Sequence, residues 1–217
     1  MMRIKTRLYF LLLLNLNTYF MQAQTSTVAG EYQLRGVMEM ASGLLLKPDS
    51  SFEFFFSYGA MDRSGSGRWH WSEKDSMVIL STPSRHTADY ALVQSRKGTE
   101  NLTVIRISDE NVYLLRYTQV RIHTDTGTIE GVTDEKGFFT MPQQPVRKIE
   151  LLFELCPERS SSFTIADSTH TYFEFRFEPW ITEVYFDNVI LRPTEQGFEG
   201  GHPLLEGSEY TYQKLKR

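Results

Sequence analysis

The feature that most constrains this chain is the alternation of apolar and polar side chains along much of its length. It is clearest in Phe52-Glu53-Phe54 and in Tyr172-Phe173-Glu174-Phe175-Arg176-Phe177-Glu178. Successive side chains of a β-strand lie on opposite faces, so a period of two predicts strands with one buried face. Turn-forming segments such as Lys47-Pro48-Asp49-Ser50 separate these strands. No long helical period follows residue 23, and the pattern therefore predicts an all-β, antiparallel fold.

The first 23 residues have the order of a secretory signal peptide. Arg3, Lys5 and Arg7 precede an apolar run over 8–20, and Ala23 is a small residue at the cleavage position. The run is shorter than the roughly 20 apolar residues that cross a bilayer, so we expect no transmembrane segment in the mature chain. No cysteine lies near the cleavage position. We therefore expect an exported protein, periplasmic or extracellular, without a lipid anchor.

Charge and cysteine content disfavour several kinds of partner and site. Without the three basic residues of the leader, the chain has 20 basic and 27 acidic residues, a formal charge of −7. This balance argues against nucleic acid, whose phosphates are bound by clustered Lys and Arg. The single cysteine, Cys156, excludes an internal disulfide and a cysteine-based metal site. Its apolar neighbours predict a buried side chain rather than a reactive thiol.

The strands form two series, which predicts two domains after the signal peptide. We expect the first domain over 24–97 and the second over 98–192, because the stretch at 95–100 is polar and contains a glycine. Glycines and prolines are frequent after residue 192, and 193–217 are predicted to be a loop-rich tail. Tyr210 and Tyr212 are candidates for one final edge strand in this tail, which would return the chain to the first domain.

The first strand series carries a sequence of motifs found in one class of barrel. These motifs are Gly30-Glu31-Tyr32, the hairpin from Leu46 to Phe52, and Gly67-Arg68-Trp69 followed by Asp75 to Leu80. In these motifs the segment resembles the small lipocalin-like barrel domains of exported bacterial proteins. The resemblance implies that 24–97 form an antiparallel lipocalin-like barrel or meander. The disulfide usual in lipocalins is absent from this chain.

The second strand series contains a distinctive hairpin, Thr133-Asp134-Glu135-Lys136-Gly137-Phe138-Phe139, which follows a strand over 120–124. We expect Asp134 to cap the turn, Gly137 to take the left-handed position, and Phe138 or Phe139 to re-enter the core. The hairpin is similar to the Thr-Asp-x-x-Gly-Phe signature of carboxypeptidase regulatory-like domains. This resemblance implies a small transthyretin-like β-sandwich over 98–192. It also implies a non-catalytic spacer or interaction role beside another domain.

An aromatic segment of the first domain supplies the candidate ligand-binding residues. Phe55 interrupts the alternation, so the three consecutive rings at 54–56 cannot all face one core. Either both faces of this strand are buried, or one ring lines a pocket or contact surface. Trp69 and Trp71 flank an outward His70 and are either core residues or platforms that stack on carbohydrate. The predicted site at a barrel mouth comprises Phe55, Tyr58, Asp62, Arg63, Trp69 and Trp71.

No residue pattern predicts a catalytic, metal or cofactor site. His123 and Asp125 have a spacing that can place two metal ligands on one strand face, but a solvated strand end is the simpler interpretation. The segment from Arg63 to Gly67 lacks the register of a nucleophile elbow and is interpreted as a flexible loop. Acyl transfer therefore has little support from the sequence.

Three functional hypotheses remain open from the sequence. The first is an exported, non-enzymatic binding or interaction module whose partner is a small apolar ligand, a glycan or a cell-envelope protein. The second is a structural spacer or envelope-assembly protein without a ligand, which predicts a filled barrel interior. The third is a hydrolase, which would need a cleft that gathers His86 or His123 with distant carboxylates.

Overall fold

A computed structural model describes residues 28–59 and 61–216 of the chain, so the predicted signal peptide lies outside the described residues. The described chain is all-β, with one six-residue 3-10 helix over Val112–Tyr117. In chain order the strands are β1 (Gly30–Arg35), β2 (Met40–Leu46), β3 (Ser51–Tyr58), β4 (Met61–Ser72), β5 (Met77–Ser81), β6 (Tyr90–Arg96), β7 (Leu102–Ser108), β8 (Thr118–Thr124), β9 (Gly127–Val132), β10 (Phe138–Pro142), β11 (Val146–Phe153), β12 (Ser160–Thr164), β13 (Tyr172–Phe177), β14 (Glu183–Val184), β15 (Val189–Thr194), β16 (Gly197–His202) and β17 (Leu205–Lys214).

The chain divides into two compact units, at positions that differ from the predicted boundaries. One unit comprises the described residues up to Arg85 together with Glu183 onward, and the other is His86–Thr182. The second unit is therefore inserted between two strands of the first, and does not simply follow it. The predicted boundary at 95–100 lies at the end of β6, which pairs with β13 inside the inserted unit.

The first unit is a closed antiparallel barrel of eight strands. Its order around the wall is β1-β2-β3-β4-β5-β15-β16-β17, and β17 returns to pair with β1. The candidate strand at Tyr210 and Tyr212 is present and returns to the first unit, since Tyr212 lies opposite Leu34. It is not an edge strand, because β17 pairs with both β1 and β16. The prediction of a loop-rich tail is wrong, because β15, β16 and β17 complete the barrel.

The alternation of β3 and β4 sets the packing of the barrel interior. Phe52, Phe54 and Phe56 point inward and are buried, as the sequence predicted. The prediction of a flexible loop at 63–67 is wrong, because this segment lies in the middle of β4. A Cβ at Gly67 would overlap the ring of Phe52 and the Ser81 carbonyl. The glycine therefore leaves the space that the aromatic ring fills.

The inserted unit consists of two four-stranded sheets, ordered β10-β7-β13-β6 and β12-β11-β8-β9. Their inner faces meet through aromatic pairs, with the ring centroids of Phe163 and Phe175 4.8 Å apart and those of Phe153 and Phe177 5.2 Å apart. Cys156 is buried, as expected.

The predicted Asp134 hairpin is confirmed in detail. The Asp134 carboxylate accepts hydrogen bonds from the backbone N–H groups of Lys136 and Phe138, both at 2.9 Å. Gly137 adopts a φ of 81°, in the left-handed region that favours glycine. A Cβ at Gly131 would overlap the Phe139 ring, so it is Phe139 that packs inward, across to the other sheet.

Candidate functional site

The six predicted site residues occupy three different environments of the barrel. Trp69 is 2% exposed and points inward, where its Nε1 donates to the Lys47 carbonyl at 3.0 Å. Arg63 is also buried on the inner face of β4. Trp71 is half-buried at the far end of the same strand and lines a groove.

The other three predicted residues are exposed. Phe55 lies on the outer face of β3 directly opposite Gly43, and a Cβ at Gly43 would overlap its ring. The exposed ring therefore covers the backbone of a strand, which explains the interruption of the alternation without a ligand. Tyr58 lies at the turn between β3 and β4, and Asp62 points outward from β4. Tyr58 and Asp62 are near the end of the barrel opposite to Trp71, so the six residues do not form one site.

The barrel interior is filled by side chains. Phe186 packs against Phe52 and Phe54, with ring centroids 4.7 and 5.0 Å apart. Tyr32 and Phe198 meet in the same core at 4.9 Å. The aromatic segment at 52–56 thus supplies core volume, and its inward rings do not line an open calyx.

A groove of about 940 Å³ lies at one end of the barrel. We call it the end groove. Trp71 supplies half-buried aromatic surface beside the buried rings of Tyr32 and Phe198, and the polar side chains that line the groove are those of Thr194, Glu195, Gln196, Gln213, Lys214 and Lys216. The Lys214 Nζ lies 5.5 Å from the centroid of the Tyr32 ring. Most of these polar groups come from the β15–β16 turn and the end of β17, which the sequence interpretation assigned to a loop-rich tail. The apolar–polar alternation through Phe198, Tyr210 and Tyr212 is the signal that indicates strands there.

Burial changes the properties of the Tyr32 phenol beneath this groove. Tyr32 is 2% exposed, and its hydroxyl donates to the Val28 carbonyl at 2.6 Å. Desolvation raises the pKa of Tyr32 to about 12, because the charged phenolate loses its hydration. The hydroxyl therefore stays protonated at neutral pH and acts in the structure as a hydrogen-bond donor.

A serine and a histidine meet inside the other end of the barrel. Ser42 Oγ lies 3.1 Å from His202 Nε2, and both residues are buried. The backbone N–H of Leu204 donates to His202 Nδ1 at 3.2 Å, so the imidazole proton is on Nε2. That nitrogen therefore donates to Ser42 Oγ, whose own proton goes to the Phe55 carbonyl at 3.1 Å. In this arrangement Nε2 has no lone pair with which to activate Ser42, and the pair acts as a closed hydrogen-bond network.

The environment of His202 also opposes its protonation. Its ring lies between Phe54 and Phe56, with centroids 5.5 and 5.6 Å away. Burial lowers the pKa of His202 to about 4, because the imidazolium would lose its hydration among aromatic rings. The side chain is therefore neutral at physiological pH.

The sequence candidates in the inserted unit belong to surface ion pairs. His123 Nε2 lies 3.0 Å from Glu150 Oε2, while Asp125 pairs with Arg147 through two bonds of 2.7 and 2.9 Å. The hydrogen bonds to Glu150 from Lys148 and His123 lower the pKa of Glu150 to about 2. His123 and Asp125 thus have separate partners and do not converge.

Within 28–59 and 61–216, no three His, Cys, Asp or Glu side chains form a group suited to a metal ion. Among the same residues, no helix has the length and apolarity needed to cross a membrane.

Comparisons with protein-family models, with characterised proteins and with solved structures found no match to this chain.

Proposed function

We propose that this protein is an exported, non-enzymatic binding module that holds a glycan in the end groove. The observation that carries the proposal is the half-buried indole of Trp71 beside a set of polar side chains in a cavity of about 940 Å³. The filled barrel interior argues against a small apolar ligand held inside the barrel. Binding is therefore expected on an outer surface.

The chemistry of the end groove suits a sugar. An indole offers a flat apolar face on which the C–H surface of a pyranose stacks. The Gln196 amide provides both a donor and an acceptor for sugar hydroxyls, and Glu195 provides a further acceptor. The Gln213 amide nitrogen provides a donor, since its Oε1 accepts from Arg35 Nε at 2.9 Å. An apolar platform combined with a few polar groups is the usual composition of a small-molecule site.

Export and family relationships belong to the same proposal. The leader at 1–23 supports a location in the periplasm or outside the cell. The eight-stranded barrel is consistent with a lipocalin-like relationship, and the confirmed Asp134 hairpin supports a carboxypeptidase regulatory-like relationship for the inserted unit. In that case the inserted unit contributes spacing or contacts and no catalysis.

The test is glycan binding by the mature chain and by two matched variants. The wild-type protein should be retained by a subset of immobilised cell-envelope oligosaccharides, and Trp71→Ala should reduce the affinity by about tenfold or more, as expected from loss of about 1.4 kcal/mol of stacking. Phe55→Ala removes another exposed ring of the same barrel outside the groove and should leave binding unchanged. Equal affinities for Trp71→Ala and wild type would contradict the proposal.

The second candidate is a structural spacer without a ligand, and the filled interior favours it. It predicts no saturable glycan binding by any variant. It also predicts stable association with a cell-envelope protein that survives Trp71→Ala. These two outcomes distinguish it from the glycan-binding proposal.

A further inference from the structure

The outer face of one sheet of the inserted unit carries an aromatic and arginine-containing surface. We call it the arginine face and define it by Arg96, Arg106, Phe138, Tyr172 and Glu174. These five side chains share one face of the sheet. Tyr172 of β13 lies opposite Arg96 of β6, and both Glu174 of β13 and Phe138 of β10 lie opposite Arg106 of β7. The intervening residues Phe173 and Phe175 are fully buried on the inner face.

Both arginines of this face are held in place by neighbouring groups. The Arg96 guanidinium carbon lies 4.0 Å above the centre of the Tyr172 ring. Arg106 Nη1 is 3.7 Å from the Glu174 carboxylate, and its Cζ is 5.7 Å from the Phe138 ring centre. Tyr172 in turn donates to Glu174 at 3.1 Å. A stacked guanidinium loses less side-chain entropy on binding and keeps its N–H edge available.

The charges of this face are not balanced. Arg96 and Arg106 stand against the single carboxylate of Glu174, and among the residues that the structure describes no carboxylate forms an ion pair with Arg96. Its guanidinium donates to the neighbouring Lys97 carbonyl at 3.4 Å. Lys97 adds a further positive charge beside it. This local excess is notable because the chain as a whole has a formal charge of −4.

The outer face of the other sheet provides an internal comparison. There, Arg121 pairs with Glu130 at 2.6 Å, and Lys148 pairs with Glu150 at 2.5 Å. The first pair joins the neighbouring strands β8 and β9, the second joins two residues of β11, and in both the opposite charges satisfy one another. Excess positive charge is therefore a property of the arginine face and not of the inserted unit in general.

We infer that the arginine face binds an anionic polysaccharide that carries carboxylate or phosphate groups. The fork of a guanidinium matches both of these groups. The residues of the face come from β10, β7, β13 and β6, and neighbouring strands are about 4.8 Å apart. An extended polyanion lying across the sheet meets both arginines, whereas a single small anion meets one.

The position of the two arginines argues against a peptide that binds by strand addition. Peptides add to sheets through the backbone groups of an edge strand. Arg96 and Arg106 instead project from the face, where they do not assist strand addition. The inference is independent of the end groove, which lies in the other unit.

The test uses the mature chain with polygalacturonate as the probe, and neutral dextran and polyglutamate as comparisons. Calorimetry at low ionic strength should show binding to polygalacturonate that weakens as salt is added, because exposed charges are screened. Arg96→Ala should reduce the affinity by about tenfold, in keeping with a charge-assisted hydrogen bond. Arg96→Lys keeps the charge without the fork and should show a smaller loss.

Arg176→Ala is the matched control. Arg176 is exposed two residues beyond Glu174 on β13 and is not one of the residues that define the arginine face. It shares a concavity with Asp109 and Glu110, so its removal should change the affinity less than about threefold. Trp71→Ala should bind polygalacturonate like wild type, which separates this inference from the end-groove proposal. The inference is overturned if polygalacturonate does not bind, if polyglutamate binds at least as tightly, or if Arg176→Ala loses as much affinity as Arg96→Ala.

Discussion

The buried imidazole of His202 should make the stability of the barrel depend on pH. Its pKa is about 4 in the folded protein and 6.5 when the side chain is solvated. The unfolded chain therefore takes up the proton first as the pH falls. The stabilisation is fully present above pH of about 6.5 and is lost progressively down to about 4.

The size of this effect follows from the difference in pKa. A shift from 6.5 to about 4 corresponds to about 3 kcal/mol of unfolding free energy, at about 1.4 kcal/mol per pKa unit. Between about pH 7 and about pH 5 the expected loss is about 2 kcal/mol. The lowered pKa of Asp49, also in the barrel, acts in a separate window, since its stabilisation is lost only as the pH falls below its ordinary 3.8.

The assay is urea unfolding of the barrel followed by tryptophan fluorescence. The chain has three tryptophans, at 69, 71 and 180, and the Trp180→Phe background leaves only the two in the barrel. In this background the unfolding free energy should fall by about 2 kcal/mol between about pH 7 and about pH 5. The additional change His202→Gln removes the titrating group and should flatten this dependence. A stability that does not change over this range, or an identical slope in His202→Gln, would refute the assignment.

Two further substitutions test the packing of each unit. Arg159 Nη2 lies 2.9 Å from the buried Asp89 carboxylate, so Arg159→Met should destabilise the inserted unit by about 3–5 kcal/mol. The measurement is urea unfolding followed by tryptophan fluorescence, with the signal of the Trp180→Phe background subtracted to give that of Trp180. A loss of unfolding free energy below about 1 kcal/mol would contradict the expectation that Asp89 becomes an uncompensated buried charge. Gly67→Val should cost about 1–3 kcal/mol because its side chain would overlap the Phe52 ring. Unchanged thermal unfolding of this variant would show that the barrel can expand at that point.

The features of the fold that depend on residues close in sequence were predicted well. The alternation in β3 placed Phe52 and Phe54 correctly, because the strand period depends only on neighbouring residues. The Asp134 turn was predicted for the same reason, since its hydrogen bonds join residues at most four positions apart. The antiparallel strands also followed from these short-range patterns, whereas the barrel was expected only from the lipocalin-like resemblance.

The errors occurred where a residue's environment depends on distant partners. The segment at 63–67 has the composition of a flexible loop, but Gly65 leaves space for the Val184 carbonyl and Gly67 leaves space for the Phe52 ring. The exposed ring of Phe55 is explained by Gly43, which is adjacent only after β2 and β3 pair. The end groove was missed except for Trp71, because its polar side chains come from strands that pair only when the barrel closes.

The boundaries of the inserted unit differ from the predicted ones for a related reason. The structure also shows why the insertion is possible. In the inserted unit the two chain ends are adjacent, because Trp180 Nε1 donates to the Ala88 carbonyl at 2.8 Å and the Glu178 N–H donates to the Asp89 carbonyl at 2.9 Å. In the barrel, Thr82 and Phe186 are joined by backbone and hydroxyl hydrogen bonds. Each unit therefore brings its own two ends together, and β5 and β15 pair as neighbours although a complete domain separates them in sequence. A linear pattern of strands contains no signal for such a closure, so two successive domains and one domain inserted in another are indistinguishable until the long-range pairing is known.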